Sequence, residues 1–381
     1  MTLLAGAESE WCANAWLFLV AAAAGTGGGA ILTSGVRRLM DPLPGDAVRS
    51  RGVILTAAIS AAVLWWWETQ IGGILPEGAA PTPCTAAALR STAHLILACF
   101  LAAATWIDLR HRVIPDAITV PGVVTGLTWN TLFPFTLLPI TRAAERSFAP
   151  PLIESDVLGA FGGLGAASLP SWLGPSPAVS GLLAAGLLFV IWWWVGMPPA
   201  GTSIETDGPS PRTGFDSRWL VAAGGVAGIV TAWLIGGDHW TGLITALMGL
   251  AVSAGMIWAT RAGASRALGR EAMGFGDVTL MAMVGSWLGW QPCVLVCMFG
   301  VFIGLVHGVI QLLRHSESEL PFGPSLCLAT GLVVVCWKPL WSATSPQFAQ
   351  PLELATVVAL VIGLTAITLW GWQWLRAGRD A

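Results

Sequence analysis

REAMGFGDVTLMAMVGSWLGW, residues Arg270–Trp290, is the stretch whose reading decides the fold. A polar loop runs through Gly274, Phe275, Gly276 and Asp277 into an apolar segment. An ionised aspartate at the bilayer centre costs about 2.5–3.5 kcal/mol, so carboxylates in such places are rare and usually functional. The two glycines take side chains away from beside the acid, allow a sharp bend and let another backbone come close. In the first turn of the following helix, Asp277 would meet the positive end of the helix dipole, which favours its ionised form. The competing reading is structural: an aspartate at a helix start that caps backbone N–H groups.

A carboxylate used for hydrolysis usually works with a second. The best partner is Asp108 in TWIDLRHRVIPD, residues 105–116, at the end of another apolar run and just before Arg110, His111 and Arg112. For Asp108 the competing reading is an interfacial ion pair with Arg110 or Arg112. Asp116, after Ile114 and Pro115, reads as a turn or helix-cap residue, His111 as solvent-facing, and Glu271 as a loop residue rather than a general base.

Composition places both acids in a membrane. The chain has 381 residues, 55% hydrophobic and only 10% charged, with mean hydropathy +0.72, whereas a soluble domain carries about 25% charged residues. The expectation is an all-α polytopic transmembrane helix bundle of about ten spans. A net charge of −3 is too small to imply a nucleic-acid partner. Seven cysteines include no Cys-x-x-Cys, so neither a zinc ribbon nor a disulfide framework is indicated. The five histidines are scattered, and no metal or cofactor is expected. Tyrosine is absent, while tryptophan triplets at 65–67 and 192–194 close apolar runs, where interfacial aromatic belts form.

In chain order, residues 1–92 read as N-terminal membrane helices and loops, the first run at 11–35 being a retained helix rather than a cleaved signal peptide. Residues 93–140 hold Asp108 and a further run, 118–140, with Pro121, Pro134 and Pro139 inside it. Residues 141–260 read as an insertion of loop, polar linker (198–218) and extra membrane helices. Residues 261–341 carry the Gly-x-Gly-Asp motif, with Trp290, Gln291 and Pro292 as a turn, and 342–381 a last span. With the Asp108 and Asp277 loops set in the cytoplasm and the spans alternated from there, the N-terminus falls outside. Of the 18 basic residues, only Arg90, Arg142, Arg146 and Lys338 then fall outside too. This is a positive-inside distribution, and it agrees with placing both aspartates at one face.

Two carboxyls a few ångströms apart cannot both ionise readily, so they share a proton and titrate as a pair. The ionised member can take a proton from water while the protonated one hydrogen-bonds a scissile carbonyl, with roles exchanged as the intermediate collapses. The same acids would also serve a proton- or cation-coupled carrier, which predicts carboxylates near mid-membrane rather than at run ends. A structural scaffold would hold them far apart.

Together these segments resemble the type IV prepilin peptidases, membrane aspartic proteases of the Gly-x-Gly-Asp kind. The resemblance is carried by Asp108 to Asp116 with its Ile-Pro-Asp ending, by Gly274 to Asp277 followed by Gly285 and Gly289, and by LPFGP (Leu320 to Pro324). It covers about residues 93–135 and 262–335. It implies catalysis by Asp108 and Asp277 and room for a substrate backbone beside Gly274 and Gly276. It also implies, as substrate, the leader of a prepilin or pseudopilin whose apolar helix lies among the lipids of a bacterial inner membrane. The chain departs from the family at Thr279, where many members carry Lys. It also lacks the paired Cys-x-x-Cys domain of members that methylate the new N-terminus, so peptidase activity alone is expected. Presenilin-like proteases share Gly-x-Gly-Asp, but their other aspartate follows a tyrosine, and this chain has none.

Overall fold

The computed structural model describes residues 50–76, 84–139, 179–197, 217–313 apart from 270 and 272, 322–348, and four single positions from 356 to 363. The run at 11–35, most of the 141–179 segment and linker, and most of the last run lie outside them. The described residues form α-helices and one short 3-10 turn, with no strand. Among the described residues, five helices are long and apolar enough to cross a membrane, and a sixth span is made if one bent pair counts as a unit. The chain is a multi-pass, all-α membrane protein.

The chain divides into two compact units. The first takes residues 1–112, 135–150 and 299–345, and the second takes 113–134, 151–298 and 346–381.

In the first unit, α2 (Cys84–His111) packs against α1 (Ser50–Thr69) and α9 (Gly323–Val335). Its alanine- and leucine-rich sequence favours helix, and Arg110 and His111 in the last turn suit the negative end of the dipole. A buried polar cluster joins α1 to α2. Glu68 accepts from Ser91 Oγ at 3.0 Å and meets His94 Nδ1 at 2.5 Å, with Arg90 Nε 3.6 Å away. Buried ions are costly unless paired, and this cluster links the two helices through Glu68. Trp67 Nε1 donates to the Val335 carbonyl at 3.0 Å and closes the three-helix group. After Cys336 the chain bends by 93° into α10 (Trp337–Phe348).

The second unit is built on three tightly packed helices, α3 (Asp116–Leu132), α6 (Gly237–Leu268) and α7 (Phe275–Leu288), flanked by α4 (Val179–Gly196) and α5 (Ser217–Ile235). Helix α3 ends at Leu132, short of the run expected to 140. Pro134 cannot continue the helix ladder and starts the 3-10 turn instead. Small residues bring the backbones together, as they do between membrane helices. A Cβ on Gly285 of α7 would overlap the Gly249 carbonyl of α6, and one on Gly126 of α3 would overlap the Ser286 hydroxyl. Ser253 Oγ on α6 donates to the Met281 carbonyl at 2.7 Å. Asn130 Nδ2 on α3 donates to the carbonyls of Ser286 and Trp287 at 2.8 and 3.1 Å, and Trp287 Nε1 donates to Gly122 at 2.9 Å. Every residue of α7 from Asp277 to Leu288 is buried. The helix ends at Gly289, whose φ of 82° suits only glycine well. Helix α8 (Trp290–Leu313) begins directly after it, so Trp290, Gln291 and Pro292 form a first helical turn, where proline is tolerated, rather than a loop.

Candidate active site

Asp277 is the third residue of α7. Helix α6 stops at Gly269, in the left-handed conformation (φ 60°), and residues 270–274 lead to Gly274, which is extended (φ −64°, ψ 150°) and precedes the first helical residue, Phe275. The carboxylate therefore lies in the turn whose N–H groups have no partner inside the helix. Asp277 is 7% exposed. Its burial follows from the clamping of α7 between α3 and α6. Thr279, at the position where the resemblance leads one to expect Lys, is also buried and donates to the Gly276 carbonyl at 3.0 Å.

The two motif glycines do different things. A Cβ on Gly276 would stand 3.0 Å from Ile114 Cβ and 3.3 Å from the Ile114 nitrogen. The missing side chain lets the Ile114-Pro115-Asp116 segment lie against the Gly-x-Gly-Asp turn, so two motifs remote in sequence meet in one unit. Beside Gly274 there is space: a Cβ there would meet only the Gly276 nitrogen, at 4.0 Å. Asp116 begins α3 and is exposed, with Pro115 extended before it.

Asp108 lies in the first unit, in the last turn of α2, and is 5% exposed. Its carboxylate accepts a hydrogen bond from the Gly323 N–H. The other oxygen, Oδ2, is buried with no hydrogen-bond partner among the described residues. Gly323 opens α9, with Pro324 at the next position, so the donor is one of the free N–H groups at a helix N-terminus. Nothing in the local sequence around Asp108 announces this contact; the only signal is the resemblance of LPFGP to a family loop. The Arg110 guanidinium lies over the Trp106 indole, 4.7 Å from the ring centre. His111 and Arg112 are exposed. Arg112 takes a left-handed φ of 56° that ends α2, and its N–H donates to the Asp108 carbonyl at 2.8 Å.

Glu271 is exposed and ion-paired with Arg261 of α6, a loop role. Among the described residues no group of three or more His, Cys, Asp or Glu is arranged to hold a metal ion. The first unit also contains an apolar cavity of about 390 Å³ beside His94, Leu97 and Leu101, further up α2 than Asp108 and without an acid in its lining.

Residues 217–309 match the model of the type IV leader peptidase family. This segment is similar to that family. It contains Asp277 and the whole of α5, α6 and α7, and it stops short of Gly323. Among curated relatives, the prepilin leader peptidase/N-methyltransferase of Pseudomonas aeruginosa is 43% identical over 84 residues, 21% of this chain and 29% of the relative. The Aeromonas hydrophila protein of the same name is 37% identical over 114 residues, 26% and 38% of the two chains. The type 4 prepilin-like proteins leader peptide-processing enzyme of Escherichia coli is 34% identical over 141 residues, 33% and 51%. The chain thus spans well under two thirds of the length of these relatives. No solved structure matches it.

Proposed function

We propose that the protein is a membrane aspartic endopeptidase that removes the leader of type IV prepilins or pseudopilins at the cytoplasmic face of a bacterial inner membrane. The observation that carries this is Asp277, buried in the first turn of α7 inside the segment that matches the leader peptidase family. Asp108 is the proposed second acid, supported by its burial and by Oδ2, a buried acceptor that no described residue uses. An unsatisfied carboxylate oxygen is costly in an apolar segment, and a shared proton or a substrate amide would satisfy it.

In this mechanism one carboxylate removes a proton from water while the other, protonated, donates to the scissile carbonyl. The tetrahedral intermediate collapses as the second proton reaches the leaving amine. The open space beside Gly274 suits the backbone of an extended leader, whereas Gly276 serves the chain's own Ile114 segment. Hydrolysis is favoured over the carrier reading because the relatives are named as peptidases. Cleavage alone, without methylation, is proposed because none of the seven cysteines forms a Cys-x-x-Cys pair.

Asp108→Asn and Asp277→Asn should each lower cleavage of a co-expressed prepilin by at least about 100-fold, since general acid–base groups contribute about 10²–10⁴. Both variants should still reach the membrane in normal amounts. Processing that survives either substitution would end the proposal. Transfer of labelled methyl to the cleaved product would remove its peptidase-only part.

A further inference from the structure

Residues 269–274 decide where α7 begins, and so where Asp277 stands. Among the described residues of this loop no backbone–backbone turn bond forms. A side chain from α6 holds it instead. Arg261 Nε donates to the Met273 carbonyl at 2.9 Å, immediately before Gly274. Its Nη2 donates to Glu271 Oε1. Its guanidinium carbon lies 5.8 Å from the centre of the Phe275 ring. One planar fork thus grips the loop at residues 271, 273 and 275, every second residue running into the motif. A lysine ammonium is a compact point charge and lacks the planar fork with which arginine spans these contacts.

Exposure tells which consequence matters. The Arg261 side chain is 26% exposed and that of Glu271 64%. Ion pairs this open add little to fold stability. The bond to the Met273 carbonyl constrains position: it fixes the backbone two peptide units before Phe275. We propose that Arg261 is a positioning residue for Asp277, registering the loop so that α7 starts where the carboxylate is needed. Its catalytic consequence rests on the hydrolytic function proposed above; its structural consequence does not. Acid–base groups must be held within about 0.5 Å, and a displacement of about 1 Å costs about 100-fold.

The test uses the full chain in lipid nanodiscs with Arg261→Met, Arg261→Lys and Glu271→Gln. Hydrogen–deuterium exchange of Arg261→Met should rise about tenfold at residues 273–277 and stay unchanged at 284–288. With a purified prepilin as probe, kcat should fall about 30- to 100-fold while KM stays within about twofold. Arg261→Lys should recover only part of the rate, and Glu271→Gln should cost less than about fivefold. Unchanged exchange at 273–277, or an equal rise along all of α7, overturns the proposal. So does a lysine variant with full rate and wild-type exchange. If the wild-type chain cleaves nothing yet exchange responds as described, the hydrolytic function fails and the positioning role stands.

Discussion

The two acids reach the same kind of environment from opposite directions. Asp277 stands in the first turn of its own helix, α7, where the free N–H groups and the positive dipole end come from its own neighbours in sequence. Asp108 stands in the last turn of α2, the dipole end that disfavours a carboxylate, and its N–H donor is Gly323 at the start of another helix, α9. The supports differ too. Helix α7 is enclosed on two sides by α3 and α6 through glycine contacts and buried hydrogen bonds, whereas Leu109, Arg110 and His111, which follow Asp108 in the last turn of α2, are exposed. A carboxylate in an apolar segment needs donors. When they lie within one helix turn they can be anticipated from sequence; when a separate helix supplies them they cannot.

The strongest challenge to this contrast is Gly285→Leu. Leucine there must push α6 and α7 apart where their backbones touch, and overpacking of this kind costs about 1–3 kcal/mol, occasionally more. The expected outcome is a large fall in melting temperature in detergent, with little folded protein recovered. A variant that melts like the wild type would mean that the enclosure of Asp277 does not depend on that contact.

Next in size is Gly323→Pro, which deletes the N–H given to Asp108, compared with Gly323→Ala, which keeps it. Hydrogen bonds to charged groups contribute about 1.5–3 kcal/mol. Prepilin cleavage should therefore fall about 10- to 100-fold with proline and stay within about threefold with alanine. Equal losses in the two variants would remove the donor from the account of Asp108.

The motif glycines sharpen the contrast within the second unit. Gly276→Ala has to displace Ile114 and should destabilise by about 1 kcal/mol. Gly274→Ala should leave the melting temperature unchanged, because its Cβ enters open space. If that space admits substrate, kcat/KM falls for Gly274→Ala without any loss of stability. The smallest effect is expected at Arg112→Gly. Glycine relieves a left-handed conformation that costs other residues about 1–2 kcal/mol, but it also loosens the unfolded chain. Arg112 also makes a further interaction that the substitution can remove, so a net change of no more than about 1 kcal/mol, read from the melting temperature, is the predicted result.

Much of the fold is legible because its causes are local. Low charge and long apolar runs mean membrane helices, and a proline or glycine at a run end means a stop. The expectation of a turn at Trp290 to Pro292 fails because proline also fits a first helical turn, and the break needs only Gly289. The expectation of a helix over 118–140 is too long because membrane helices tolerate proline, while here Pro134 follows directly on the last residues of α3.

The sequence by itself determined that this is an all-helical membrane chain and that an aspartate opens a helix after a glycine turn. Those features depend on composition, hydropathy and neighbours within one helical turn. Only the tertiary structure decided that Gly323 serves Asp108, that Gly276 makes room for Ile114, and that Arg261 grips the loop before Asp277. Each is a contact between segments with no fixed spacing along the chain, and only the packing of the helices brings such partners within hydrogen-bonding or van der Waals reach.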